Sequence, residues 1–181
     1  MNEFTYQEMM VHVPLCTNKD PKNVLIISEK AELLSEELAR HAEVGSRVIS
    51  CKLEAISALD DKAYDVVISE MQADAAFISH VNRVLQDDGQ FVTVHPALDE
   101  TEANKSLMKT LGRYFKVIMP YNLGNCSTAL LSSKEYHPTA DINLHRSDMI
   151  DGLSYYNCDV HVASFAMGNH IRKEYLGIVK N

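Results

Sequence analysis

The sequence predicts an α/β fold built on a mostly parallel sheet with helices on both faces. Three observations carry that expectation. Short, continuously apolar, β-branched runs alternate with segments of helical periodicity, as in a parallel sheet buried on both sides. The last two strand-like runs follow each other with no room for a helix, so they should pair antiparallel as a hairpin. The 181 residues contain no Gly/Ser/Pro-rich linker, low-complexity tract or internal repeat, which suggests a single domain over 1–181.

Taken in order, Val24-Leu25-Ile26-Ile27 reads as a buried strand stopped at Ser28. Residues 29–41 place Ala31, Leu34, Leu38 and His41 at helical spacing, with Ser28 as the expected N-cap. Residues 46–50 read as a second strand and Val66-Val67-Ile68 as a third. A helix over 75–85 should end at the turn signal Asp87-Asp88-Gly89, and Phe91-Val92-Thr93-Val94 follows as a strand. Residues 102–114 are helical, with Leu107 and Leu111 inward. Residues 115–119 and 128–131 form the hairpin pair. The order is that of a Rossmann-like sheet of the methyltransferase type, parallel except for its C-terminal antiparallel hairpin.

Charge and composition exclude several function classes. The formal net charge of −8, with acids spread along the chain, argues against a nucleic-acid partner, which needs a basic face. Cys16, Cys51, Cys126 and Cys158 form no CxxC pair and read as reduced, mostly buried thiols. No apolar run approaches membrane-spanning length, and Met1-Asn2-Glu3 does not open a signal segment. The expectation is a cytoplasmic protein with no membrane partner. His137 and His145 are not spaced as a helical metal pair, and no HExxH, GxSxG or phosphate-binding loop motif is present, so no metal or resident cofactor is expected.

Four segments carry a family resemblance. Asn2-Glu3-Phe4-Thr5-Tyr6-Gln7-Glu8-Met9-Met10, continued by Val11-His12-Val13-Pro14-Leu15, resembles the D-E-F-x-Y-Q-E-M helix of the spermidine synthases. Pro21-Lys22-Asn23-Val24-Leu25-Ile26-Ile27 follows at that family's spacing. Leu85-Gln86-Asp87-Asp88-Gly89-Gln90-Phe91 resembles its L-x-x-D-G-x-F turn, and Tyr155 to Ala166 its C-terminal signature. All lie in family order from one end of the chain to the other.

The resemblance implies aminopropyl transfer from decarboxylated S-adenosylmethionine, as co-substrate, to putrescine in polyamine biosynthesis. A neutral amine attacks the carbon next to the sulfonium. The N–C bond forms, the C–S bond breaks, methylthioadenosine leaves, and a carboxylate takes the amine proton. It implies small-molecule amine and nucleoside substrates and a homo-oligomer. Tyr6 matches the tyrosine lining the amine pocket, Gln7 its neighbour toward the nucleoside, and Tyr121 the tyrosine of a T-Y-P-S-G loop, here Pro120-Tyr121-Asn122-Leu123-Gly124. Glu70 falls at the place of the proton-accepting aspartate, at the carboxyl end of a strand. Asp74 could stand in for a second aspartate that aligns with Ala73.

Other parts of the pattern depart. The family's G-G-G-D-G-G loop is replaced by Ser28-Glu29-Lys30-Ala31-Glu32-Leu33, with Ala31 where its aspartate would stand. Glu29, Glu32 or Glu54 are the nearby acids that could substitute. Between His41 and Tyr64 only one strand and one short helix fit, so an edge strand and the acid that grips the ribose should be lost. The family's N-terminal β-rich domain has no counterpart before Met1. A non-catalytic relative acting as a binding or partner subunit is the alternative reading.

Overall fold

The computed structural model describes residues 3–124 and 126–181; Met1 and Asn2, at the head of the opening motif, lie outside the described residues. The strands β1 (Asn23–Ile27), β2 (Gly45–Ile49), β3 (Tyr64–Ser69), β4 (Leu85–Val94), β5 (Val117–Asn122) and β6 (Thr128–Ser133) form one sheet in the order β2-β1-β3-β4-β6-β5. β2, β1, β3 and β4 pair in parallel, while β6 runs antiparallel to both β4 and β5. This is the methyltransferase-type sheet with its terminal hairpin. Between α2 (Glu32–Leu38) and β3 the chain holds only β2 and the short helix α3 (Leu53–Ser57), and β2 is the edge strand.

One face of the sheet is covered by α1 (Glu3–Thr17) and α2 (Glu32–Leu38). With Tyr121, Tyr156 and Phe165 they form an apolar layer against Val24, Ile26, Val66, Ile68 and Val92. The other face is covered by α3, α4 (Ala75–Val84) and α5 (Thr101–Leu111), packed on Leu25, Ile27, Val67 and Phe91. Successive strand residues alternate between the two layers, as the pleat requires. From Glu8 onward α1 is buried on all sides, the polar Glu8, His12 and Thr17 included. Met9, Met10, Val11, Val13 and Leu15 are all fully buried, the signature of a core helix rather than a surface one.

The C-terminal third is tied to α1. It carries α6 (Leu144–Asp148), α7 (Cys158–Ser164) and α8 (Asn169–Glu174). Arg146 donates to the carbonyls of Leu15 and Asn18, both at 2.6 Å, and of Lys19 at 3.0 Å. A cation thus satisfies the orphan carbonyls at the end of α1 and complements the helix dipole. Near its start, the buried Glu8 accepts from the backbone N–H groups of Ser154, Tyr155 and Tyr156 at 2.7–2.9 Å.

Four local expectations need correcting. α2 starts at Glu32, with Ala31 rather than Ser28 at its N-cap, because the Ser28 hydroxyl is drawn to Glu70 and to the Lys30 N–H. The turn at Asp87-Asp88-Gly89 sits inside β4. Tyr64 pairs with Leu85 but Val66 pairs with Gln90, so the residues between loop out while the strand continues. On α5 the inward face is Asn104, Met108 and Leu111, with Leu107 only half-buried. Among the cysteines Cys16 alone is buried, and Cys126 is exposed.

Candidate functional site

Parallel register builds the site. Ile27 at the end of β1 lies beside Ser69 at the end of β3, so the next residues, Ser28 and Glu70, emerge side by side at the carboxyl edge. The Glu70 N–H donates to Ile27 O at 2.9 Å, which fixes the backbone at that point. The two oxygens of Glu70 are then divided between two hydroxyls. Tyr6 on α1 donates to Oε1 at 2.8 Å, and Ser28 donates to Oε2. Burial, reinforced by the adjacent Glu70 charge and the hydrogen bond to it, holds the Tyr6 phenol far above its ordinary range, so Tyr6 is a fixed donor.

Glu70 also borders a cleft of about 570 Å³ between α4 and α5. Gln72, Ala73 and Asp74 line it on one side, and His95, Glu100 and Leu107 on the other. Asp74 is the N-cap of α4. One of its carboxylate oxygens accepts the Phe77 N–H at 2.8 Å, as a cap should. His95 is held between Asn104 Oδ1 at 2.7 Å and Thr128 Oγ1 at 3.0 Å. Burial lowers its pKa despite those bonds, which favours neutral imidazole. Asn104 also donates to the carbonyls of Pro96, Ala97 and Glu100, so one buried amide shapes the loop that forms the cleft wall.

The structure brings Tyr6 and Glu70 together and places Asp74 on the same cleft as Glu70. It does not open Tyr121 to that cleft. Tyr121 is fully buried, lies tilted against Phe165 with ring centroids 5.2 Å apart, and donates its hydroxyl to Met9 O at 3.2 Å. The reason is the alternation of β5, which turns Tyr121 into the layer beneath α1. Gln7 is half-buried, and its Oε1 is enclosed with no hydrogen-bond partner among the described residues.

The β1-to-α2 turn shows how the chain does without glycines. Among the described residues, positive φ occurs at Lys62, Gly124, Cys126, Gly152 and Gly177, and at none of residues 28–31. The turn therefore uses backbone that any residue adopts. Its side chains are engaged with the protein: Glu29 accepts the Cys51 N–H at 2.8 Å, and Ala31 is buried. Glu32 and Glu54 sit exposed in the first turns of their helices. Sequence reasoning missed Ser28 as the partner of Glu70, although two residues that follow adjacent parallel strands are neighbours by construction. It also missed His95 and Asn104, whose spacing carries no motif. Among the described residues no cluster of three or more ligating side chains could hold a metal, and no helix is long and apolar enough to cross a membrane.

Comparison with known proteins agrees with this architecture. A family model for the spermine/spermidine synthase domain matches residues 3–54. The chain is 26% identical to a polyamine aminopropyltransferase of Helicobacter pylori (strain G27) over 207 residues, covering 96% of this chain and 78% of the relative. It is 27% identical to the polyamine aminopropyltransferase of Clostridium beijerinckii over 221 residues, covering 94% of this chain and 78% of the relative. Both alignments are longer than the chain itself, so the relatives carry additional residues within the aligned span. The crystal structure of spermidine synthase from Thermotoga maritima superimposes with a TM-score of 0.84 at 23% identity, over 98% of this chain and 75% of that one. A spermidine synthase in complex with the transition state analogue AdoDATO gives 0.83 at 22% identity, over 98% and 76%. These likenesses extend along the fold from α1 to the C-terminal helices.

Proposed function

Because this chain is a divergent, spermidine synthase-like protein along nearly its whole length, we propose that it keeps the amine-side half of aminopropyltransferase chemistry and has given up much of the nucleoside side. The observation that carries this reading is the division of the Glu70 carboxylate between Tyr6 and Ser28 at the ends of β1 and β3. In the amine half, Glu70 is the carboxylate placed to attract an ammonium group and to accept the proton of an attacking nitrogen. Tyr6 holds it in position, and Asp74 adds a second negative charge on the cleft. An acidic cleft suits putrescine, a small dication.

In the nucleoside half, the ground where a glycine turn would let backbone approach a ligand is held by the chain's own contacts. Ser28 is bound to Glu70, Glu29 to the Cys51 N–H, and Ala31 lies in the core with no polar atom to offer. Each charge-assisted hydrogen bond is worth about 1.5–3 kcal/mol. Loss of two carboxylate contacts, at the Ala31 position and at the ribose, therefore weakens nucleoside binding by roughly two to four orders of magnitude. On this reading the chain alone binds decarboxylated S-adenosylmethionine poorly and has little or no spermidine synthase activity. It acts as a binding or partner subunit in polyamine metabolism.

A steady-state aminopropyltransferase assay at saturating putrescine tests this, with Glu70→Gln as the control. The expected result is turnover at background in both proteins. Robust turnover that vanishes in Glu70→Gln would overturn the non-catalytic reading and make Glu70 the working base.

A further inference from the structure

The two edges of the sheet are treated differently. At the β5 edge, Ile118 exchanges both backbone hydrogen bonds with Lys180, at 2.7 and 3.1 Å, and Pro120 has no N–H to offer. That edge is closed, by the devices that keep strands from pairing between molecules. At the other edge, β2 pairs only with β1, in an unbroken five-residue register with no proline and no bulge. In a parallel ladder alternate residues turn both backbone groups to the same neighbour. Gly45 N–H donates to Lys22 O and Ile49 O accepts from Ser28 N–H, so residues 45, 47 and 49 face β1. Ser46 and Val48 therefore point their N–H and C=O groups away from the sheet. The side chains are as open as the backbone: Gly45 through Val48 are all exposed, Val48 at 46%.

We propose that this edge is a self-association surface, at which β2 pairs antiparallel with β2 of a second copy to make one continuous sheet. Charge and register select the occupant and the alignment. Arg47 is exposed with no acidic partner among the described residues, while the Glu29 carboxylate is fixed at the Cys51 N–H just beyond the other end of the strand. Antiparallel pairing runs Arg47, at the middle of one β2, toward the Glu29 end of the other. A two-fold axis at Arg47 would place two guanidiniums directly opposite, which is unfavourable. An axis at Val48 instead sets Val48 against itself, Arg47 against Ile49 of the second copy, and Ser46 against Ser50 of the second copy. The outward N–H and C=O of Val48 then pair with those of Val48 in the second copy, the Ser46 C=O meets the N–H of Ser50, whose own carbonyl accepts from Lys52 N–H at 2.8 Å, and the apolar Val48 side chains meet at the axis.

Sedimentation of the chain from micromolar to millimolar concentration, beside Val48→Lys, tests this. The variant sets two ammonium groups at the axis and leaves the β1–β2 ladder intact, so its circular dichroism and melting temperature should match the parent. The expected result is a mass that doubles with concentration in the parent and stays monomeric in Val48→Lys. In the same series, amide exchange at Ser46 and Val48 should slow as concentration rises. A parent that stays monomeric at millimolar concentration, or a dimer that survives Val48→Lys unchanged, would overturn the proposal.

Discussion

Glu8 and Glu70 are only some sixty residues apart in sequence, yet their environments give two carboxylates different work. Glu8 is buried and spends both oxygens on three backbone N–H groups of the segment 154–156, which joins the first helix to the last third of the chain. Its removal takes a charged acceptor from three donors and leaves the buried Tyr156 N–H unpaired, which alone costs about 1–3 kcal/mol. Glu8→Ala is therefore expected to lower the unfolding free energy by about 3 kcal/mol or more, read from urea titration. Glu70 is half-buried beside a cleft and holds only hydroxyls, which a ligand can displace. Glu70→Gln is expected to change stability little while removing putrescine binding. The Glu70 position is legible in the sequence because the spermidine synthase resemblance implies a proton acceptor at the end of this apolar strand. The Glu8 role is not, because its three partners lie 146–148 residues away and no local pattern announces them.

At the scale of elements, the strand runs and their hairpin are readable from β-branched periodicity alone, and the helices from their apolar faces. The expected helix start at Ser28 failed where a long-range hydrogen bond outweighed a local preference. Ser28 has the chemistry of an N-cap, but Glu70 sits beside it across the β1–β3 pair, and the charged acceptor prevails over the neutral cap. The hairpin connection shows the opposite case, in which sequence and tertiary packing agree. Gly124 has φ +78°, and a Cβ there would lie 2.5 Å from the Tyr155 ring and 2.6 Å from the Thr5 methyl. Gly124→Ala combines backbone strain with a clash between the hairpin loop, α1 and the C-terminal signature. A loss of about 2–3 kcal/mol is expected, seen as a lower melting temperature.

For the whole molecule, stability should depend on two histidines sealed into the layer beneath α1. His161 is fully buried between the Tyr156 hydroxyl at 2.8 Å and Pro138 O at 3.0 Å, and burial depresses its pKa from 6.5 to about 4. His41, 2.9 Å from His12 Nδ1, is likewise lowered to about 4, by burial first and by the charge of His12 second. Both are neutral in the folded protein and protonate more readily when unfolded. Their contribution is intact above pH 6.5 and is lost as the pH falls from 6.5 toward 4, with His161 alone costing on the order of 3 kcal/mol at the lower end. Urea midpoints across that interval should fall steeply, and less steeply in His161→Asn. Functionally, the sheet has the shape of the spermidine synthase structures it resembles while the β1 turn offers no glycine cradle, and this asymmetry is most directly tested by isothermal titration calorimetry with putrescine and methylthioadenosine in separate experiments. The account predicts putrescine binding that disappears in Glu70→Gln, and methylthioadenosine binding too weak to register at micromolar protein. Micromolar methylthioadenosine affinity, or putrescine binding indifferent to Glu70→Gln, would contradict it.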